Sequence, residues 1–302
     1  MTSATEPVSR CGFAAIIGAP NAGKSTLVNR LVGQKIAIVT HKVQTTRARL
    51  RGIAIEGRSQ IVFVDTPGIF TPRRDLDRAM VEAAWSGAGD ADLVILLVDS
   101  RAGLNAEVEA ILATLGTARR PPVLALNKVD VVRPETLLGL SQRLNERLPF
   151  AATFMISALS GSGVEDLRRC AANAMPEGPW LYPEDQIADL PQRLLAAEIT
   201  REKLTLRLHQ ELPYALTVET EGWAERPDGS VRIDQVVYVE REGQRKIVLG
   251  KDGQTIKAIG QAARKEIAET IGQPVHLFLF VKVRENWASD PELLKMMGLG
   301  RQ

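Results

Sequence analysis

The stretch "GAPNAGKST", Gly18 to Thr26, constrains this chain more than any other. It satisfies GxxxxGK[ST] through Gly18, Gly23, Lys24 and Ser25, with Ala19, Pro20, Asn21 and Ala22 between the glycines. An apolar strand, "FAAII", precedes it and a helical segment, "TLVNRLV", follows, which is the context the pattern requires. The glycines let the backbone wrap closely enough for its N–H groups to face phosphate oxygens, and the helix N-terminus adds its positive end. Lys24 is placed to reach the outer phosphates and the Ser25 hydroxyl to ligate Mg2+, with Thr26 in the first helical turn. The fold class expected around such a loop is α/β.

The surrounding sequence agrees. "QIVFVDTPG", "DLVILLVDS", "PVLALNKVD" and "ATFMISAL" are rich in Val, Ile, Leu and Phe, and each leads through a turn into a helical pattern. Apolar strands separated by helices indicate a mostly parallel sheet covered on both faces. "RARLRGIAIEG" instead runs into "SQIVFVD" through a glycine-containing turn and predicts one antiparallel strand at an edge. The rhythm stops at "AMPEGPWLYPEDQIADLP", where four prolines among charges and aromatics read as a linker. Beyond it the order is helix, strand, strand, helix, helix, strand. The expected organisation is a first domain over 10–177, a linker over 178–192 and an α+β domain over 193–302. Two domains fit a 302-residue chain.

The apolar runs are too short to span a membrane, and Cys11 and Cys170 lack pairing or zinc spacing. A soluble chain in a reducing cytoplasm is expected. Net charge is only +2. From Leu181 onward 17 Lys and Arg face 19 Asp and Glu, so any nucleic-acid contact there must rest on a local patch. Residues 240–282 supply one, with eight basic against five acidic side chains.

Further motifs bear on which nucleotide the loop would hold. "DTPG" (Asp65, Thr66, Pro67, Gly68) closes a strand, placing Asp65 to hold magnesium through water and the Gly68 N–H near a γ-phosphate. In "NKVD", Asp130 can accept two hydrogen bonds from a guanine edge, a pairing adenine cannot make. Asn127 and Lys128 would hold the base and the loop, and "SAL" (Ser157, Ala158, Leu159) can offer a backbone N–H to the guanine carbonyl. In this order the motifs resemble those of translation-factor-type GTPases, and the resemblance covers nearly all of residues 12–175. It implies a threonine that reaches magnesium and the γ-phosphate. In "THKVQTTRARL" that is Thr46, with Thr45 the alternative, while His41 and Lys42 read as solvated loop residues. Ile69 stands where many GTPases carry a water-orienting glutamine, so intrinsic turnover is expected to be slow. Similar GTPases with an asparagine at the place of Asn21 include potassium-assisted enzymes, which makes K+ near Asn21 an expectation.

A second loop, "GKDG", lies in "IVLGKDGQTIKAIG". It fits GxxG between two helices, the loop with which KH domains clamp about four nucleotides of single-stranded RNA. Gly250 and Gly253 would allow close approach, and Lys251 and Lys257 would meet phosphates. Ile247, Leu249, Ile256 and Ile259 would supply an apolar groove. The order of elements matches the type II KH fold, with two strands before the loop and one after.

Taken together, GxPNxGKS, QTTR, DTPG, NKxD and this KH arrangement, through "FVKVRENW", resemble the Era family of bacterial ribosome-assembly GTPases over almost the whole chain. The resemblance implies engagement of small-subunit ribosomal RNA near its 3′ end and of the 30S-type subunit. It also implies GTP-dependent binding and loose peripheral association with the cytoplasmic membrane, and a monomer is expected. The alternative is a constitutive RNA-binding protein whose GTPase domain does not gate RNA affinity. Two departures stand out: Asp252 puts a negative charge in the GxxG loop, and Ala288 follows the tail tryptophan where a basic residue is common.

Overall fold

The computed structural model describes residues 8–40, 42, 46–47, 49–118, 120–189, 191–296 and 299. It divides into two units, one of Met1–Ala37 with Thr46–Asp189 and one of Ile38–Thr45 with Leu190–Gln302.

In the first unit, six strands form one sheet: β1 (Arg10–Ile17), β2 (Leu50–Glu56), β3 (Ser59–Asp65), β4 (Leu93–Asp99), β5 (Val123–Asn127) and β6 (Ala152–Met155). Their order is β2-β3-β1-β4-β5-β6, parallel throughout except that β2 runs antiparallel to β3. The apolar strands are explained by burial on both faces. Ala14, Ile16, Phe63, Ile95 and Leu97 pack on one side against α1 (Lys24–Val32) and α5 (Val164–Ala174). Ala15, Ile17, Leu96, Val98 and Leu126 pack on the other against α2 (Asp75–Gly89), α3 (Ala106–Leu115) and α4 (Pro134–Arg147). Strand order reverses at β1, so the crevice beyond its carboxyl end is where a ligand belongs in an open α/β sheet.

Residues 178–189, expected within a linker, are tied to the edge of this sheet. The Gln60 amide accepts from the backbone N–H groups of Leu181 and Tyr182 and donates to the Tyr182 carbonyl. Ile53 N–H donates to Ile187 O at 2.9 Å, and Ala188 bridges to Gly52. An exposed β2 edge has unpaired backbone groups, and this strap satisfies some of them.

The second unit runs α6 (Gln192–Arg207), β7 (Leu216–Glu225), β8 (Val231–Val239), α7 (Glu242–Leu249), α8 (Gln254–Ile271) and β9 (Val275–Val283), followed by α9 (Pro291–Met296). The sheet order is β7-β8-β9, with β8 antiparallel to β7 and parallel to β9. Alternate strand residues such as Ile233, Val237, Val239 and Val281 face buried positions of the helices, including Leu204, Val248, Ile259, Ala263 and Ile267. The tail tryptophan, Trp287, is buried and its Nε1 donates to Ala215 O at 3.2 Å.

Candidate nucleotide and nucleic-acid sites

The phosphate loop sits at the carboxyl end of β1. The first-turn amides of α1 have no intrahelical acceptors and are free to face an anion. Lys24 is buried, and its Nζ donates to Gly18 O at 3.1 Å and Ala19 O at 3.0 Å, which holds the amine along the loop. Gly23 has φ +101, and a Cβ there would lie 2.4 Å from Asn127 Nδ2. Only glycine fits both requirements.

Three oxygens predicted for the metal converge. Ser25 Oγ lies 2.7 Å from Thr46 Oγ1 and donates to Asp65 Oδ2 at 2.8 Å, and Thr46 Oγ1 donates to the same oxygen at 3.2 Å. Asp65 Oδ1 is enclosed and receives no hydrogen bond. An anionic oxygen buried beside two hydroxyls fits a hard, oxygen-seeking cation such as Mg2+. Among the described residues no cluster of three His, Cys, Asp or Glu offers a metal site, so such an ion here depends on these hydroxyls. Thr45, the alternative to Thr46, lies outside the described residues.

Burial shapes the electrostatics of this corner. It pushes the Asp65 carboxyl up to about 6, against the opposing hydrogen bond from Ser25 and the charge of Lys24. It pulls the Lys24 amine down to about 8, against the attraction of Asp65 and Glu107. Burial thus disfavours the charged form of both groups, and each partly offsets that cost for the other. Such perturbed pairs in a cleft mark functional sites.

The base-reading motifs are cross-tied to the loop. Asn127 Nδ2 donates to Ala22 O at 2.8 Å, and its Oδ1 accepts from Ala158 N at 2.9 Å. One buried side chain therefore locks loop, "NKVD" and "SAL" together, and the Ala158 amide is already engaged. Lys128, at φ +67, donates to Asn21 O at 2.7 Å and to Asp99 Oδ2 at 2.6 Å. Asp99 has no motif of its own, and its position at the end of β4 was the only available signal. Asp130 is exposed in the turn after β5, open to a base edge. Ser157 is buried and its Oγ accepts from Ser160 N, while Thr66 Oγ1 donates to Ile16 O; both are structural contacts. Pro67 and Gly68 are buried, Gly68 against Pro20, and Asn21 is exposed at φ +60. Ile69 is buried among β1 and β4 residues, with its N–H on Gly18 O at 3.0 Å.

Lys42 departs from the expected solvated loop residue. It is half-buried, and its Nζ donates to Thr205 O at 2.6 Å and to Leu208 O, satisfying carbonyls left open at the end of α6. Val39 N donates to Glu202 Oε1 at 2.9 Å in the same unit. His41 lies outside the described residues.

In the second unit, Gly250-Lys251-Asp252-Gly253 forms a tight turn between α7 and α8, closed by Gly253 N–H on Gly250 O at 3.3 Å. Lys251, Asp252 and Lys257 are exposed, and Asp252 adopts φ +52. Between α8, which follows the turn, and β9 lies a cavity of about 460 Å3 lined by Ile256, Lys257, Gly260, Arg264, Leu277 and Leu279. Ile256 lines this cavity, and Ile259 does not. Ile259 is 1% exposed and packs into the core, on the side of α8 turned away from the cavity-lining Gly260 and Arg264. The wall contributed by Leu277 and Leu279 of β9 was missed, because an alternating strand reads the same whichever face is open.

The fold and these sites define a P-loop nucleotide-binding domain joined to a type II KH domain. A family profile described as a 50S ribosome-binding GTPase matches residues 13–128, and a KH domain profile matches residues 211–288. The chain is 67% identical over 291 residues to GTPase Era of Afipia carboxidovorans, covering 96% of this chain and 94% of that protein. It is 66% identical over 298 residues to GTPase Era of Brucella suis biovar 1, covering 99% and 95%. It is also similar to a crystal structure of Era in complex with MgGDPNP and nucleotides 1506-1542 of 16S ribosomal RNA, with TM-score 0.92 at 36% identity over 97% of this chain and 100% of that one. The structure of an Aquifex aeolicus Era variant bound to GDP.AlF4- matches with the same scores and coverage. The chain belongs to the Era family and is a GTPase.

Proposed function

We propose that this chain is a GTP-driven switch that grips the 3′ region of small-subunit ribosomal RNA through its KH domain and assists assembly of the small subunit. The observation that carries this reading is the presence in one chain of two glycine loops of different design, one beside an Asp65–Ser25–Thr46 oxygen cluster and one preceding a helix that lines an apolar groove. It is supported by the related Era structure that holds both MgGDPNP and a 16S ribosomal RNA segment.

In this reading Ser25, Thr46 and, through water, Asp65 hold Mg2+, which when bound offsets the charge of the nucleotide phosphates. Lys24 and the amides of residues 21–26 hold the phosphates, and Gly68 offers its N–H at the γ position. Asp130 reads guanine while Asn127 and Lys128 keep its turn against the loop. No side chain at position 69 is available to orient the attacking water, because Ile69 is apolar and buried, so intrinsic hydrolysis is slow. The same reading assigns K+ a place near Asn21 as an accelerating ion. Upstream of Thr46 in the chain, Val39 and Lys42 bond to Glu202 and Thr205 of α6 and to Leu208 just after it, and in this reading GTP acts on that stretch through Thr46.

We further place the protein in the cytoplasm as a monomer with loose peripheral membrane association. Cell fractionation and light scattering test those assignments. The function itself is tested by equilibrium binding of 16S ribosomal RNA to the protein loaded with a non-hydrolysable GTP analogue or with GDP. Unequal affinities support the switch, and equal affinities leave a constitutive RNA binder.

A further inference from the structure

β9 presents two different surfaces. Leu277 and Leu279 turn toward α8 and line the groove between α8 and β9. Phe278 and Phe280 turn the other way, onto the opposite face of the sheet, and remain 41% and 51% exposed, beside the buried Val236 and Tyr238 of β8. They are the large apolar side chains most exposed on that face. Alternation along a strand separates them by roughly 7 Å. The Arg232 guanidinium lies 4.8 Å from the centre of the Phe278 ring, extending the flat surface across to β8.

We propose that this face is a stacking platform for two unpaired bases of the same RNA strand whose backbone the GxxG loop holds. The proposal rests on the RNA reading of the groove. Three observations favour bases over a protein partner. First, two phenyl rings and one stacked guanidinium are far less than the roughly 800 Å2 per partner that a stable protein interface buries, but they match what bases need, since every base has a π-face. Sheet faces carrying paired aromatics are a recurring way to stack single-stranded RNA, and arginine planes serve likewise. Second, the platform is continuous with the groove. β9 is the edge strand, so an RNA leaving the groove passes over one strand's free edge to reach it. At that edge Arg245 Nε donates to Val281 O at 3.1 Å while its guanidinium pairs with Glu242 at 2.8 Å. Third, the charges on the face nearly cancel. Arg232 faces Asp234, and Lys282 faces Glu221 at 3.1 Å, with Glu219 and Tyr238 alongside. Affinity there must come from stacking rather than from phosphate attraction.

That last point makes the proposal testable apart from the GxxG clamp. The probes are a tetranucleotide and an RNA of about 12 nucleotides from the 3′ end of 16S ribosomal RNA, titrated against full-length protein across a salt series. Phe280→Ala and Phe278→Ala should each weaken the longer RNA by about fivefold to a hundredfold, the span of base–aromatic stacking, and leave the tetranucleotide unchanged. The salt slope should not move, and Phe280→Trp should restore binding. Unchanged affinity for the longer RNA in both alanine variants overturns the platform, as does an equal loss for both RNAs. Gly253→Asp is the separate control: if it leaves both RNAs bound as before, the groove reading itself fails, whatever the phenylalanine variants do.

Discussion

Gly253→Asp offers a sharp test of the KH loop because the two glycines of GxxG occupy different surroundings. A Cβ at Gly250 would lie 2.1 Å from Thr255 Oγ1 and 3.0 Å from the Thr255 backbone nitrogen, at φ +74 and ψ 176. That combination is closed to other residues, and substitution there should cost about 3 kcal/mol or more of stability. Gly253 also has a positive φ of +74, but a Cβ there meets nothing within 4 Å. Its ψ of 11 puts it in the left-handed helical region, which aspartate tolerates for about 1 kcal/mol. Gly253→Asp therefore leaves the domain folded and adds a carboxylate next to Asp252 and Lys251. A negative charge about 5 Å from an RNA phosphate, at a surface dielectric of about 40–80, costs about 1–2 kcal/mol, or roughly fivefold to thirtyfold in affinity. Loss of the Lys251 contact should also flatten the salt dependence by about 0.7 in the log–log slope. Fluorescence anisotropy with a labelled 3′ fragment of 16S ribosomal RNA reads both quantities. Thermal melting within a few degrees of the parent and unchanged GTP turnover without RNA complete the expectation. Full RNA affinity in a folded Gly253→Asp protein would refute the assignment of this loop.

Other expectations concern the nucleotide. Lys24→Ala should weaken GTP and GDP together by about a hundredfold or more without altering the preference for guanine over adenine, by calorimetric titration, since its amine lies along the phosphate loop and is assigned no base contact. Asp130→Asn should instead lower GTP affinity by about a hundredfold and raise that for xanthosine triphosphate, whose 2-carbonyl accepts from an amide. Gly23→Ala should break the Asn127–Ala22 tie, through a Cβ 2.4 Å from Asn127 Nδ2, and reduce binding of every nucleotide; retained binding would mean the tie is dispensable. Turnover in potassium buffer should exceed that in sodium buffer at equal ionic strength, and Asn21→Ala should erase the difference.

Much of this architecture is local and so could be read from the sequence. The loop between strand and helix, the strand ends at "DTPG" and "NKVD", and the GxxG turn each encode their geometry within a few residues. What escaped depends on distant partners. Gln60 lies within β3, yet its amide organises Leu181 and Tyr182, so the proline-rich stretch is a strap rather than free chain over much of its length. Asp99 matters through Lys128, reached only when β4 and β5 pair. Ile259 shares the helical spacing of Ile256 but falls on the buried face of α8, and Lys42 looks like loop filler until α6 supplies carbonyls for its amine. Periodicity says that a face is apolar without saying what covers it.

The account's central claim is that nucleotide state sets RNA affinity. The most direct measurement is the Kd of the full-length chain for 16S ribosomal RNA, taken at one fixed salt with a non-hydrolysable GTP analogue and then with GDP. A coupling of about 1–3 kcal/mol predicts binding tighter by roughly fivefold to 150-fold in the GTP form, and RNA should tighten the GTP analogue by the same factor. Equal Kd values in the two states would contradict the switch and leave two energetically independent domains on one chain.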